Sequence, residues 1–474
     1  TSTSSIEDET AKDPSLQEMS FDLGYGTEYF EAFVQPTMEE MSQGKYKEAK
    51  KPRMNGHAVK FHNMSPDTVR YFWVNDNGQA HPMGRLPPFH CMGTASFPSH
   101  KFFFGPDDYE TNKIVLQSFK IDPGGATTNL YYYDPITVPG DDKATQRNMS
   151  KLTMKEIEKY TIMLRNREFS KKYMEFTGRE YMTMYPRKQP LHYMWPADYF
   201  GQEHWVTTRE TQFESIPSDK MRRIKETGLS RVLKDDDPRI FADYRNKDEL
   251  FNMTLKVLSI RPRVYEIENF LSEVEVDHIV DYARNANMQA SATGSGESSK
   301  VEKETKTRTS YNTWVGRETD QVMDTVYRRS ADLLRIDEAM FRRRDKSEHP
   351  YMSTSNSVAE QLQLVHYNKK QEYTAHHDFG YAKVDDKNQP ARFATLLLYL
   401  NDVEQGGETE FPRWINGETS ESLKATPKKG KAVLFYSFLP DGNLDDLSQH
   451  AAKPVVKGEK FLINLWVNDP TFDR

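Results

Sequence analysis

Residues 373–380 read YTAHHDFG, and whether this stretch is extended decides how the carboxy-terminal half of the chain is folded. Side chains alternate across the two faces of a strand. If YTAHHD leaves the apolar run LQLVHY (362–367) as a strand, His376 and Asp378 project to one side and His377 to the other. Only one of the paired histidines can then share a metal ion with the aspartate. An imidazole and a carboxylate at i and i+2 supply two ligands, and a third must come from a distant part of the chain.

Outward from this stretch, the runs FATLLLYL (393–400), KAVLFY (431–436) and KFLINLWV (460–467) read as strands separated by the glycine-bearing loops EQGGE, KKGK and VKGEK. Many short strands with turn chemistry between them favour a jelly roll or barrel, which lays distant strands side by side. His450, in LSQHAAKPVVKGEK just before the final strand, is the candidate third ligand. Two histidines and one carboxylate with open positions form the facial triad of non-haem Fe(II) oxygenases. Lys460 opens the last strand and could neutralise a carboxylate held deep in the barrel. A histidine near an aspartate is more often a surface ion pair; the conjunction with a distal His and Lys, all on or beside strands, carries the metal reading. Two helices precede the strands, SEVEVDHIVDYARNA (272–286), with Val274, Ile279, Val280 and Ala283 toward one side, and TDQVMDTVYRRSADLL (319–334). The stretch from Ser291 to Thr307 is too polar for a core and reads as a mobile loop.

The amino-terminal half has a different texture. Residues 1–50 lack a sustained period and read as an extended tail, with a short amphipathic piece at FEAFVQPTMEEM. Residues 51–140 carry short β-type runs (HAVKFHN, VRYFWVN, HKFFF, KIVLQSFKI) with turn signals between them, the pattern of a small antiparallel sandwich. Residues 141–255 turn helical and charged (LTMKEIEKYTIMLRN, SDKMRRIKETGLSRVL), broken by aromatic-rich stretches such as HYMWPADYFGQEHW, and read as a spacer without chemistry of its own. Residues 256–474 complete the chain as the domain carrying the triad. The fold class expected is therefore mixed α+β: a small amino-terminal β-sandwich, a helical connecting region, and a carboxy-terminal jelly roll flanked by helices.

Composition bounds the partners. The 474 residues carry 12% aromatics, enough for packed cores despite 28% charged residues. Net charge is −7, with basic residues scattered, so no nucleic-acid surface is expected. Cys91 is the single cysteine, which excludes an intrachain disulfide and thiolate-built zinc sites. No apolar run is long enough to span a membrane. The chain opens at Thr1 without a signal-peptide pattern, which is compatible with removal of a targeting segment upstream.

From about Pro262 to Trp466 the chain resembles the prolyl 4-hydroxylases of the plant and algal type. The resemblance rests on PRVYEIENFLSEVE, TRTSYNTWVGR, LQLVHYNKKQEYTAHHDF, RFATLLLYLNDVEQGGETEFP, KKGKAVLFYSFLPDGNLDDLSQHAAKPVVKGEK and NLW, in order and spacing. It implies a double-stranded β-helix, a form of jelly roll, using Fe(II), 2-oxoglutarate, O₂ and ascorbate on a proline-containing polypeptide. It implies His376, Asp378 and His450 as iron ligands, and Lys460, Thr409, Tyr367 and Trp466 around 2-oxoglutarate. Arg308, Ser310, Tyr373, Arg392 and Glu360 match positions that grip the peptide. Halogenating relatives replace the aspartate with a small residue; Asp378 is present here, which favours hydroxylation. Asn468 stands where algal relatives carry a histidine, and the match fades across SATGSGESSKVEKETKT, which leaves the peptide preference open. Relatives work in the secretory pathway, so the endoplasmic reticulum is the location the resemblance implies, with the cytosol as the alternative.

A second resemblance covers FHNMSPDTVRYFWVNDNGQAHPMGRLPPF and TASFPSHKFFF, which are similar to the β domain of the von Hippel-Lindau tumour suppressor, a hydroxyproline reader. It implies a pocket of Trp73, Ser96, His100 and Phe102, with Phe102 in place of a tryptophan and Met83 in place of a tyrosine. The alternative is a plain structural sandwich. For the whole chain, the alternatives to a prolyl 4-hydroxylase are a non-catalytic binding scaffold and a 2-oxoglutarate-dependent hydroxylase of another substrate.

Overall fold

The computed structural model describes residues 57–97, 99–121, 130–177, 181, 190–215, 249–291, 308–345, 347, 356–379, 392–414 and 421–469. The expected tail, the helix expected over 218–233 and nearly all of the polar loop 291–307 lie outside these residues.

The amino-terminal strands are β1 (His57–Asn63), β2 (Val69–Val74), β3 (Ala80–Leu86), β4 (Cys91–Ser96), β5 (Lys101–Pro106), β6 (Gln117–Lys120) and β7 (Leu130–Tyr133). They form two small sheets, ordered β4-β1-β7 and β3-β2-β5-β6. Alternation puts Val59 and Phe61 of β1, Tyr71 of β2, and Phe102 and Phe104 of β5 into one shared core. One pairing departs from the expected antiparallel arrangement: β1 and β7 run parallel. A parallel pair needs a crossover, and the intervening sheet provides it. Helices α1 (Asp142–Met149) and α2 (Met154–Thr177) follow. The Asp141 carboxylate caps α1 by accepting from the Ala144 amide at 2.9 Å. Tyr160 and Met163 of α2 pack in a second core with Met64, Phe89 and Ile136, which fixes the helix to the sandwich.

The remaining strands are β8 (Glu203–Thr208), β9 (Phe251–Ile260), β10 (Arg263–Ile267), β11 (Gln289–Ala290), β12 (Tyr311–Val315), β13 (Leu362–Tyr367), β14 (Tyr373–His376) and β15 (Arg392–Tyr399). They continue with β16 (Gln405–Gly406), β17 (Thr409–Phe411), β18 (Leu423–Ala425), β19 (Ala432–Tyr436), β20 (His450–Ala452), β21 (Val455–Lys457) and β22 (Lys460–Asn468). Among the described residues nine of them form one antiparallel sheet, β11-β12-β13-β22-β15-β19-β10-β9-β8, and four form a second, β14-β20-β17-β18. The large sheet is apolar on both faces, and period two explains how. On β15, Leu396 and Leu398 face a core shared with helices α3 (Glu273–Asn285) and α4 (Gln321–Leu334), while Leu397 and Tyr399 face Phe411 and Ala425 of the small sheet.

Helix α3 begins on a capping box: the Ser272 hydroxyl accepts from the Glu275 amide, and Glu275 accepts from the Ser272 amide. Its buried residues are Glu275, Val276, Ile279 and Ala283, so the apolar side is turned from the expected one, with Val274 and Val280 only partly covered. The turn is set by Glu275, which is fully buried in a two-pronged pair with Arg329 of α4 at 2.8 and 2.9 Å. Arg329 also donates to the carbonyls of Glu210, Thr211 and Phe270, leaving no charge unmatched.

The large sheet starts upstream of residue 256. Strand β8 pairs with β9, and Trp195 and Phe213 lie in the same core as α3 and α4. No helix of the described residues is long and apolar enough to cross a membrane.

Candidate active site

Strands β14 and β20 are neighbours, and their register sets His376 opposite His450. Asp378 follows β14 and turns back to the same point, its carboxylate 3.8 Å from His376 Nε2 and 3.6 Å from His450 Nε2. The three ligand atoms lie within 4.8 Å of one another, the one such cluster of His, Cys, Asp or Glu among the described residues. His377 faces elsewhere, packed on Phe379 at 4.5 Å between ring centres. The strand stops at His376, short of the expected YTAHHD, so a bend rather than strand alternation returns Asp378 to the triad and sends His377 elsewhere.

Backbone carbonyls set the imidazole tautomers. His376 Nδ1 pairs with the Thr374 carbonyl at 2.8 Å and His450 Nδ1 with the Ser448 carbonyl at 3.1 Å. A carbonyl can only accept, so each Nδ1 carries the proton and each Nε2 turns a lone pair toward Asp378. Burial lowers the pKa of both histidines, which keeps them neutral. Burial alone would raise Asp378; the neighbouring histidines lower it only while protonated, and with them neutral the Arg392 charge and the Thr395 hydroxyl still favour the carboxylate. Thr395 donates to Asp378 Oδ2 at 2.6 Å. Two neutral nitrogens and one fixed carboxylate are the donor set of a divalent first-row ion with open positions, and these residues fit Fe(II).

Next to the triad, the inward face of β22 carries Lys460 and Trp466. Lys460 is 1% exposed and makes no ion pair among the described residues. Its ammonium donates to the Gly407 carbonyl at 2.7 Å and lies 5.4 and 5.5 Å from the ring centres of Tyr367 and Tyr399. Burial pulls its pKa down to about 7, a fall that Glu408 partly opposes. Thr409 accepts from the Tyr399 hydroxyl at 2.7 Å. The turn that presents Gly407 and Thr409 requires glycine at 406, where φ is +78° and a Cβ would meet the Pro454 carbonyl at 2.3 Å. A buried cation lacking a counter-ion, ringed by hydroxyls, suits the distal carboxylate of a small dicarboxylic acid. The indole N–H of Trp466 is also buried without a hydrogen-bond partner among the described residues.

The expected peptide-contact residues fall into two groups near the triad. Tyr373 stacks on His376 with 3.6 Å between ring centres, and the Arg308 guanidinium lies 4.7 Å from the Tyr373 ring. Arg308 also bonds to Ser310 at 3.3 Å and to Gln363 at 3.1 Å. Arg392 grips Glu360 through two bonds of 2.7 and 2.8 Å and lies 3.7 Å from the centre of the Trp466 ring. Asn468 donates to Glu360 at 3.3 Å, joining the second group.

Three participants escaped the sequence reading: Thr395, Tyr399 and Gln363. A single hydroxyl in the apolar run FATLLLYL was the available signal for Thr395. In the amino-terminal unit, Trp73 and Phe102 are cross-strand partners. Ser96 Oγ lies 3.1 Å from His100 Nδ1, and the His100 ring is 5.5 Å from Trp73. The four residues thus meet, with Phe102 contributing from the core at 2% exposure and the Trp73 indole N–H buried without a partner. Met83 is exposed.

Comparison with known proteins agrees with this geometry. Residues 362–468 match the 2OG-Fe(II) oxygenase superfamily. Probable prolyl 4-hydroxylase 3 of Arabidopsis thaliana is 34% identical over 226 residues, covering 45% of this chain and 71% of the relative. Prolyl 4-hydroxylase 5 of the same plant is 31% identical over 224 residues, covering 45% and 70%. Among solved structures, a viral collagen prolyl hydroxylase from Paramecium bursaria Chlorella virus-1, in its 2-oxoglutarate complex, is 26% identical, covering 43% of this chain and 95% of that one, with a TM-score of 0.32.

Proposed function

Since the chain belongs to the prolyl 4-hydroxylases, within the 2OG-Fe(II) oxygenase superfamily, we propose that it hydroxylates proline at C4 in polypeptide substrates, with Fe(II), 2-oxoglutarate and O₂, ascorbate sustaining turnover. The observation that carries this reading is the pairing of two neutral Nε2 atoms and a carboxylate, on and beside the small sheet, with a buried Lys460 that has no ion-pair partner among the described residues, on the facing large sheet. Fe(II) and 2-oxoglutarate, when bound, supply the oxidising chemistry: O₂ converts the 2-oxo acid to succinate and CO₂ while one oxygen atom enters a substrate C–H bond.

The chain's own residues prepare the site. The carbonyls of Thr374 and Ser448 hold the imidazoles with Nε2 inward, and Thr395 fixes the Asp378 carboxylate. Lys460, assisted by Thr409 and Tyr367, takes the distal carboxylate, and the Trp466 indole closes that side against water. A proline ring held against the edge of Tyr373, whose ring stacks on His376 and carries Arg308, would rest at the edge of the metal centre. Arg392 and Glu360 hold each other rigid along the peptide path, with Arg308 and Ser310 opposite. The facing sheets are read as the double-stranded β-helix, spanning residues 256–474 with β8 added at its edge.

The test is incubation with Fe(II), ascorbate, 2-oxoglutarate and a proline-rich peptide. Succinate and a peptide heavier by one oxygen at 4-hydroxyproline are expected, and both should vanish in Asp378→Ala. Succinate formation with another acceptor would point to a non-prolyl hydroxylase. Binding of peptide without any turnover would point to a scaffold.

A second reading concerns residues 51–140, which we take as a von Hippel-Lindau-like module that retains hydroxylated product. Trp73, Ser96 and His100 converge with a buried indole N–H awaiting an acceptor. A pocket with dedicated polar partners rejects the analogue lacking the hydroxyl. A tethered reader would also raise the local concentration of a chain bearing several prolines. Titration with prolyl and hydroxyprolyl versions of one peptide tests it: equal affinities would reduce the unit to a structural sandwich.

A further inference from the structure

The loop 437–449 leads directly into the strand that carries His450, and its polar residues are sealed from solvent: Asp441 is 0%, Asn443 1% and Asp445 2% exposed. What seals the tip comes from the connecting region. The Tyr173 hydroxyl, on α2, donates to Asp441 Oδ2 at 2.8 Å and accepts from Asn443 Nδ2 at 3.2 Å. Tyr173 is itself fixed, 2% exposed and packed edge-on against Tyr181 at 5.0 Å between ring centres.

From the tip the loop runs back through a chain of hydrogen bonds to the ligand. The Leu439 amide donates to the Asn443 carbonyl and the Asp445 amide to the Ser437 carbonyl, each at 2.8 Å, which closes the hairpin. The Asp445 carbonyl accepts from the Ser448 amide at 3.0 Å and its hydroxyl at 2.7 Å. The Ser448 carbonyl then accepts from His450 Nδ1. The carbonyl that aims His450 thus belongs to a loop whose tip is held by a helix packed on the amino-terminal sandwich.

We propose that Tyr173 is a positioning residue for His450, so that the connecting helix is a working part of the metal centre. This rests on the reading of His376, Asp378 and His450 as that centre. Ligand-orienting partners typically govern metal affinity by about 10–100-fold; Tyr173 acts through the loop, and a smaller effect of roughly 3–10-fold is expected.

The experiment titrates Co(II), a spectroscopic stand-in for Fe(II), into the 474-residue protein under anaerobic conditions, following its visible absorption bands. Tyr173→Phe should weaken Co(II) by that factor and shift the bands, and should lower kcat while leaving the peptide KM in place. Tyr160→Phe removes another phenolic hydroxyl of the same helix, one bonded to Asp134 at 3.0 Å, and should leave Co(II) binding unchanged. Wild-type Co(II) affinity and bands in Tyr173→Phe would overturn the proposal, as would equal weakening in Tyr160→Phe. Should Tyr173→Phe not fold, Asn443→Ala removes the amide donor to that phenolic oxygen, together with the acceptor of the Leu444 amide, and is judged by the same criteria. A wild-type protein that takes up no Co(II) would instead overturn the metal-centre reading, before any variant is compared.

Discussion

The buried ammonium of Lys460 should make 2-oxoglutarate binding a proton-linked event. Burial leaves Lys460 with a pKa of about 7 in the folded protein, against an ordinary 10.5. Between these values the unfolded chain binds more protons than the folded one, so this residue's contribution to stability rises with pH across the window. The penalty for burying the charge is complete below about pH 7 and gone above about pH 10.5. A gap of about 3.5 pH units corresponds to roughly 5 kcal/mol. A carboxylate seated against Lys460 reverses the balance by restoring its proton. Below pH 7 the affinity for 2-oxoglutarate should therefore be flat; above it, the affinity should fall by up to about tenfold per pH unit, about 1.4 kcal/mol each. Calorimetry of 2-oxoglutarate into Mn(II)-loaded protein between pH 6 and 9, in buffers of different ionisation enthalpy, counts the proton directly. Lys460→Met should bind weakly at every pH and, lacking the buried charge, should resist denaturant better at pH 6. A pH-independent affinity with no proton uptake at pH 8.5, or a Lys460→Met protein that binds as well as wild type, would refute the reasoning.

Four further outcomes follow from the contacts. Thr395→Val removes the hydroxyl donor to Asp378 and should weaken Mn(II) or Co(II) binding by about tenfold in a metal titration; unchanged affinity would make that hydroxyl incidental. Arg392→Leu dissolves both the Glu360 pair and the contact with Trp466, and steady-state kinetics should show a peptide KM raised by about an order of magnitude, more than any change in the 2-oxoglutarate KM. Arg329→Met strands Glu275 in the core, and urea denaturation should report a loss of about 3–5 kcal/mol. His100→Ala should abolish discrimination between hydroxyprolyl and prolyl peptides in a binding assay while short-peptide turnover stays at the wild-type rate.

The parts of the site that were legible in the sequence share one property: they interrupt a strand pattern with a side chain that has no business in a core. His376 and Asp378 stand two apart at the end of a short strand, and Lys460 opens a mostly apolar one, so their residue types mark the site, although the bend that returns Asp378 lies beyond the strand. Thr395 and Tyr399 were harder to see because β15 is buried on both sides, and a strand of that kind reads as a continuous apolar run with no marked inner face. Strands β3 and β4 were missed for the opposite reason. β3 is an exposed edge whose residues Ala80 to Met83 are all open to solvent, so it has no apolar period to detect. The connecting region misled through its irregularity. HYMWPADYFGQEHW has neither helical nor strand period, yet Trp195 donates its indole N–H to the Leu333 carbonyl at 2.8 Å, and its own carbonyl accepts from the Tyr265 hydroxyl at 2.6 Å.

The orientation of the metal ligands lies deeper still. Both histidines are aimed by backbone carbonyls, at Thr374 and Ser448, and a carbonyl is present at every position of every sequence. Only the path of the chain decides which carbonyl faces which ring. For His376 that path is local, two residues back along its own strand. For His450 the carbonyl is equally near in sequence, but the loop supplying it is held at its tip by a residue 268 positions away from Asp441. A spacing rule can find the ligands; it cannot find the tyrosine that keeps one of them pointed inward. A fragment beginning at residue 256 keeps all three ligands but loses Tyr173, Trp195, β8 and the first half of β9 together. Such a fragment should take up Co(II) more weakly than the 474-residue Tyr173→Phe protein, and equal or tighter binding would show that the loop holds itself.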